Sequence, residues 1–276
     1  MAIQDDHVNG ATAKTVTIGV LALQGAFVEH VTLLQQAASE LLQQQQHPIS
    51  IIQVRNPTDL LRCQGLILPG GESTSISLIA ERTGLLEPLR DFVKIQRRPV
   101  WGTCAGLILL AESANKSKAS GQELIGGLDV RVQRNYFGRQ VESFEAALDL
   151  PFLSEHLPEA GRASAPFHSV FIRAPVVEKV LPSASGAQEQ EASDDSIIAP
   201  ARKATKAPVE ILARLPGRAK ALKDRTTTAS ELGEDGDIVA VRQGNVFGTA
   251  FHPELTGDSR IHAWWTKNVF MCAERN

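Results

Sequence analysis

The sequence predicts an α/β fold in three layers, a mainly parallel sheet, mixed in its second half, with helices on both faces. Three observations carry that expectation. Short apolar, β-branched runs alternate with longer helical stretches over the first 113 residues, as in βαβ units. The runs are apolar along their length, as strands buried on both faces are. Glycine- or proline-containing turns stop several of them at their C-terminal ends.

The elements follow in order. Residues 15–23 (TVTIGVLAL) read as the first strand, bounded by Gln24-Gly25. Residues 26–46 have helical content and run into a glutamine tract before Pro48. Residues 49–54 and 65–68 are the next strands, the latter stopped by Pro69-Gly70-Gly71. Helical stretches are expected at 74–82 and 88–97, a short strand at 99–102, and a helix over 107–113. The second half changes character. Residues 128–133 and 140–146 read as strands around the turn-rich Asn135-Tyr136-Phe137-Gly138, with a short strand at 170–173. Residues 237–242 and 246–251 form a hairpin through Gln243-Gly244-Asn245. A helix over 258–273 comes last.

A length of 276 residues gives a soft prior of about two domains, yet the pattern suits a single α/β domain over 15–276, preceded by an extension over 1–14. Residues 182–208 are rich in Ala, Ser, Glu, Gln, Asp and Lys with little to bury, and read as a flexible insert. Residues 226–236 read as a second exposed loop. A net charge of −3 argues against a nucleic-acid binder driven by bulk electrostatics. No apolar stretch reaches the ~18 residues of a membrane span. The first fourteen residues carry Asp5 and Asp6, no arginine and no apolar core, so a cytoplasmic protein with reduced thiols is expected. Three widely spaced cysteines supply neither a disulfide framework nor a cysteine-rich metal site.

One cysteine stands apart. Gly102-Thr103-Cys104-Ala105-Gly106 follows an apolar strand and precedes a helix, the cysteine version of the G-x-S-x-G nucleophile elbow. Small neighbours permit a sharp turn that lifts the sulfur above the sheet, and the helix behind it brings a positive end that favours a thiolate. Cys63 and Cys272 have no such context and read as structural. Cysteine catalysis needs a base and a group that orients it. His252 ends a strand in Phe251-His252-Pro253-Glu254, and in extended chain Glu254 projects to the same side. Leu68-Pro69-Gly70-Gly71-Glu72-Ser73 lies at another strand's C-terminal end. It lacks the G-K-[ST] of a phosphate loop and reads as a turn whose N–H groups pair with that of Ala105 to hold an oxyanion.

These motifs, with Thr17-Ile18-Gly19-Val20-Leu21-Ala22-Leu23-Gln24-Gly25, resemble class I glutamine amidotransferases of flavodoxin-like architecture. Arg134-Asn135-Tyr136-Phe137-Gly138-Arg139-Gln140-Val141-Glu142-Ser143-Phe144-Glu145 and Phe171-Ile172-Arg173-Ala174-Pro175 narrow the resemblance to the glutaminase subunits of two-component pyridoxal 5′-phosphate synthases. It covers about 15–273, apart from the two inserts. The resemblance implies Cys104 as nucleophile, with His252 as base and Glu254 as its orienter. It implies Gly71 and Ala105 at the oxyanion, and Gly71, Glu72, Ser73, Arg134, Ile172 and Arg173 around L-glutamine. It implies no cofactor and no metal. It also implies a barrel-shaped synthase partner in a large hetero-oligomer that receives ammonia through a tunnel, met by Gln24 and residues 25–30. Turnover is expected to be low alone and to rise on complex formation, through reorientation of Gly70-Gly71. Three other readings stay open on sequence: ammonia supply to a different synthase, a non-catalytic regulatory subunit of the same shape, and a related cysteine peptidase.

Overall fold

The computed structural model describes residues 15–42, 48–116, 122–134, 136, 143–155, 165–182, 193, 195–201, 205, 207–215 and 237–275. Its first half lays down β1 (Val16–Leu21), α1 (Phe27–Leu42), β2 (Ile49–Val54), α2 (Pro57–Leu61), β3 (Gly65–Leu68), α3 (Ser73–Arg82) and α4 (Leu86–Arg90). A π-helical turn, Asp91–Ile95, leads into β4 (Val100–Thr103), α5 (Ala105–Leu110), β5 (Ala111–Asn115) and β6 (Leu128–Gln133). Then come β7 (Ser143–Leu148), β8 (Phe167–Ile172), β9 (Val176–Val180), β10 (Ser196–Ile198), β11 (Val209–Leu215), β12 (Asp237–Gln243), β13 (Val246–Thr249) and α6 (Arg260–Glu274).

Among the described residues the main sheet runs β10-β5-β6-β9-β12-β13-β4-β3-β1-β2, with β11 also paired to β12. The pairings β2–β1, β1–β3, β3–β4 and β4–β13 are all parallel, so all five strands end on one edge of the sheet, the edge that carries the candidate motifs. Every residue of β3, β4 and β13 is buried, which explains why these strands read as unbroken apolar runs. Beyond β13 the sheet turns antiparallel through β12, β9 and β6. A separate antiparallel pair, β7–β8, completes the β structure. Helix α1 packs on α6, and α3 packs on α4 and α5. The mixed, mainly parallel architecture is as expected.

Three expectations need correction. The helix placed over 107–113 instead spans Ala105–Leu110, and Ala111 turns to extended backbone. The apolar run favours a helix locally, but parallel pairing with β6 and full burial of 111–114 override that propensity. The helix placed over 88–97 starts earlier and finishes as the π-helical turn. Composition reads 182–208 as an insert with little to pack, yet β10 adds an antiparallel strand to the edge of β5 (Ser196↔Asn115, Ile198↔Ser113). Edge pairing uses backbone groups and needs few large apolar side chains. The contact is fastened from behind: Lys94 Nζ donates to Pro200 O (3.0 Å) and pairs with buried Glu112 (2.7 Å). The 1–14 extension, the 226–236 loop, and residues 135 and 137–142 lie outside the described residues.

Candidate active site

The site is built where β3, β4 and β13 release the chain. Thr103 ends β4, and Cys104 follows with φ 48° and ψ −99°, a conformation that costs a non-glycine residue about 1–3 kcal/mol. Two contacts hold the turn: Cys104 N–H donates to Thr249 O (2.8 Å), and Ile108 N–H donates to Cys104 O (3.2 Å). Close packing explains the flanking glycines. A Cβ on Gly102 would overlap the backbone of Gly106, and one on Gly106 would overlap the carbonyl of Leu68. Cys104 N–H is engaged by β13 through Thr249 O, while Ala105 N–H opens the first turn of α5, where helix N–H groups have no intrahelical acceptor.

His252 leaves β13 opposite this turn. Its backbone N–H donates to Val170 O (2.8 Å), pinning it to β8, and its Nδ1 lies 2.8 Å from Glu254 Oε1. The following Pro253–Leu255 forms a 3-10 turn, which folds the carboxylate back under the ring. Burial pulls the imidazole down, but the charge and hydrogen bond of Cys104 and those of Glu254 outweigh it. The net effect pushes His252 up to about 10. Cys104, His252 and Glu254 are each buried and form one interacting chain, sulfur to imidazole to carboxylate. Gly70 makes room for it, since a Cβ there would overlap the His252 ring.

The other candidates surround this chain. Ile172 O lies 4.0 Å from Cys104 Sγ, so the end of β8 passes beside the sulfur. Arg173 follows, exposed and with φ 45°. Gly71 packs against Gln24, whose Oε1 accepts the Glu72 N–H (2.8 Å). The Glu72 carboxylate caps α3, accepting from Thr74 N (3.0 Å), Ser75 N (2.7 Å) and Ser75 Oγ (2.7 Å). Partial burial raises Glu72, but those donors prevail and hold it below its ordinary value. Ser73 is buried, with its Oγ 3.3 Å from Gln122 Oε1. Arg134 is buried beside Glu72. Burial pulls it down to about 10 against the opposing pull of the Glu72 charge.

Sequence reasoning missed the layer beneath. His30 on α1 and His262 on α6 are fully buried and touch one another, Nδ1 to Nε2, at 2.9 Å. His30 Nε2 lies 3.4 Å from Glu254 Oε2 and 3.2 Å from Thr103 Oγ1. Trp101 packs edge-on against both rings. The signal was present, because His30 shares a 3.6-period stripe with Leu33, Leu34, Ala37 and Leu41, all buried. A histidine on such a stripe needs a partner. Burial pushes the Cys63 thiol up to about 12 and raises Cys272 as well, as suits inert structural thiols. A cavity of about 120 Å³ around Lys94, Glu112 and Gln243 lies at the opposite ends of β4 and β13, with no triad candidate in its lining. Among the described residues no cluster of histidine, cysteine or carboxylate side chains is arranged to hold a metal, and no helix is long and apolar enough to cross a membrane.

The family profile described as "SNO glutamine amidotransferase family" matches residues 20–207 and 208–271. The pyridoxal 5′-phosphate synthase subunit PdxT of Herpetosiphon aurantiacus is 41% identical over 247 residues, covering 90% of this chain and 97% of that protein. The subunit of the same name from Streptomyces avermitilis is 41% identical over 256 residues, covering 93% and 95%. A crystal structure described as a glutamine amidotransferase superposes with a TM-score of 0.61 at 34% identity, covering 92% of this chain and 98% of its own.

Proposed function

The chain belongs to the SNO glutamine amidotransferase family and is a glutaminase subunit of pyridoxal 5′-phosphate synthase; from that premise we propose that Cys104, His252 and Glu254 are its catalytic triad. The observation that carries the proposal is a cysteine on a strained strand-to-helix turn in contact with a histidine whose far nitrogen is held by a buried carboxylate.

The Cys104 sulfur attacks the side-chain carbonyl carbon of L-glutamine, and the N–H groups of Ala105 and Gly71 receive the oxyanion. His252 gives its proton to the departing amide nitrogen, which leaves as ammonia, and a γ-glutamyl thioester remains on the sulfur. His252 then takes a proton from water as that water attacks the thioester, and glutamate leaves. Glu254 fixes the imidazole tautomer and stabilises the imidazolium, as the acid does in a Ser-His-Asp triad. Arg134 faces the α-carboxylate of glutamine, with Arg173 and Ile172 on the β8 side and the 71–73 backbone on the other. Ser73 and Glu72 line the glycine turn. Because the Glu72 carboxylate is committed to capping α3, it serves substrate through its backbone and through the shape it gives that turn.

The partner is the synthase subunit, to which we assign a barrel-shaped receiver of channelled ammonia and a docking surface at Gln24 and residues 25–29; His30, the last residue expected in that surface, is instead fully buried against the site. Two hydrogen bonds support that surface. Gly70 O accepts the Ala26 N–H at 3.0 Å, and Gln24 Oε1 accepts the Glu72 N–H at 2.8 Å. The segment that meets the partner therefore holds the oxyanion turn from both sides, and docking there reorients Gly70-Gly71. Ammonia release from glutamine, measured with and without the synthase subunit for wild type and Cys104→Ala, tests this reading. Low release alone, a clear rise on complex formation and loss in the variant are expected. Equal rates with and without partner would overturn the docking assignment, and an active Cys104→Ala would overturn the triad.

A further inference from the structure

We propose that His30, held in one tautomer by His262, is a positioning residue that fixes the Glu254 carboxylate and through it the catalytic imidazole. The inference rests on the triad reading above and extends it by two residues that no catalytic step uses directly.

The geometry is a chain of four side chains beneath the sulfur. Glu254 has a fully buried carboxylate with two oxygens to satisfy. Oε1 is taken by His252 Nδ1 at 2.8 Å. Oε2 has no hydrogen bond of ordinary geometry, and His30 Nε2 lies 3.4 Å from it. A buried carboxylate oxygen without a donor is costly, and a carboxylate free on one side can rotate away from the imidazole it serves.

Only one tautomer of His30 meets this need. With its proton on Nε2, His30 donates towards Glu254 Oε2 and Thr103 Oγ1, and its Nδ1 accepts from His262 Nε2. His262 then carries no proton on Nδ1, in accord with the lack of any hydrogen-bond partner at that buried atom. In the opposite tautomer His30 would turn a lone pair towards the carboxylate. Which ring nitrogen is protonated follows from what the other nitrogen bonds, so His262 sets the tautomer of His30.

The charge state agrees. The groups facing His30 are His262 on α6, Glu254 on the turn after β13, His252 beyond it, and Thr103 and Trp101 on β4. Burial, reinforced by the charges of His262 and His252, lowers His30 well below its ordinary value, and burial lowers His262 to about 3. Both are neutral at working pH. A neutral His30 anchors the carboxylate without competing with the His252 imidazolium for its charge.

The test compares H30Q with H30N in the full chain with the synthase subunit bound. Glutamine extends an amide to the position of Nε2, whereas asparagine reaches only that of Nδ1. H30Q is expected to retain kcat to within about threefold. H30N is expected to lose about 10²-fold in kcat, the scale of a misplaced catalytic group, with KM for glutamine unchanged and the alkaline limb of the kcat profile moved to lower pH. Equal kcat in the two variants, or an unmoved limb in H30N, would overturn the proposal. If H30N does not fold, H262Q and H262L read the same chain one link out, with retention expected for the first and loss for the second. Cys104→Ala separates the two levels. If it is inactive while H30N behaves as wild type, this inference alone fails, and if it is active the triad reading fails with it.

Discussion

Replacing Glu254 by glutamine removes one charge while keeping the side chain's size, and its effect can be worked from the geometry. The carboxylate lies 2.8 Å from His252 Nδ1 and its side chain is fully buried. Two unit charges about 4 Å apart at an effective dielectric constant near 20 attract by about 4 kcal/mol, worth about three pH units of proton affinity. Glutamine still offers an acceptor to Nδ1, so part of that stabilisation survives. Loss of the negative neighbour lowers His252 from about 10 towards its ordinary 6.5. The imidazolium needed to protonate departing ammonia is then depleted at alkaline pH. In a serine triad the corresponding acid-to-amide change costs about 10⁴ in kcat. The amide nitrogen here would also face the His30 Nε2–H, setting two donors together. E254Q is therefore expected to lower kcat by at least about 10²-fold and to shift the alkaline limb down by about one to three units. The assay is steady-state ammonia release from about pH 6 to about pH 10 with the synthase subunit in excess. A limb unmoved from wild type, with kcat within about threefold, would refute the reasoning.

Other outcomes follow from the same contacts. Gly70→Ala, whose Cβ would overlap the His252 ring, is expected to cut kcat by at least about tenfold with circular dichroism unchanged; wild-type kinetics would contradict it. Arg134→Met removes a buried guanidinium, and a charged hydrogen bond is worth about 1.5–3 kcal/mol. It should therefore lower kcat/KM by about 10- to 100-fold, mainly through KM, in a glutamine titration. His252 titrates higher in the folded chain than its ordinary 6.5, so its stabilisation is complete below about pH 6.5 and is lost as pH rises through about 10. The urea stability gap between wild type and E254Q should narrow over that window. Lys94→Met leaves Glu112 buried without its cation and should destabilise by about 3–5 kcal/mol in urea unfolding, with K94M/E112L recovering most of the loss.

Much of this arrangement was legible in the chain. β3 is buried along its length and leaves a continuous apolar run, β6 alternates apolar with polar residues as its burial alternates, and both were placed residue for residue, as was the isoleucine-rich β2. The elbow was legible because its turn admits only small flanking residues, a constraint written locally as Gly102 and Gly106. What escaped depends on distant partners. β5 looks helical by composition and is extended because β6 and β10 flank it. β9 and β11 carry charged residues in the half-exposed part of the sheet and gave no clear period. His30 and His262 are separated by 232 positions, and nothing local announces that α1 and α6 bring these rings into contact, with His30 in turn beside the Glu254 carboxylate. Glu72 shows the reverse case. Its motif points to substrate, but Thr74 and Ser75 two and three positions on make it a helix cap.

The account stands on covalent chemistry at one sulfur. Acid quenching of the complex during turnover with glutamine, followed by peptide mapping by mass spectrometry, reads that chemistry directly. A γ-glutamyl adduct on the peptide containing Cys104, with Cys63 and Cys272 unmodified and no adduct in Cys104→Ala, is the result expected. Ammonia release at the wild-type rate from Cys104→Ala, or an adduct on either other cysteine, would contradict it.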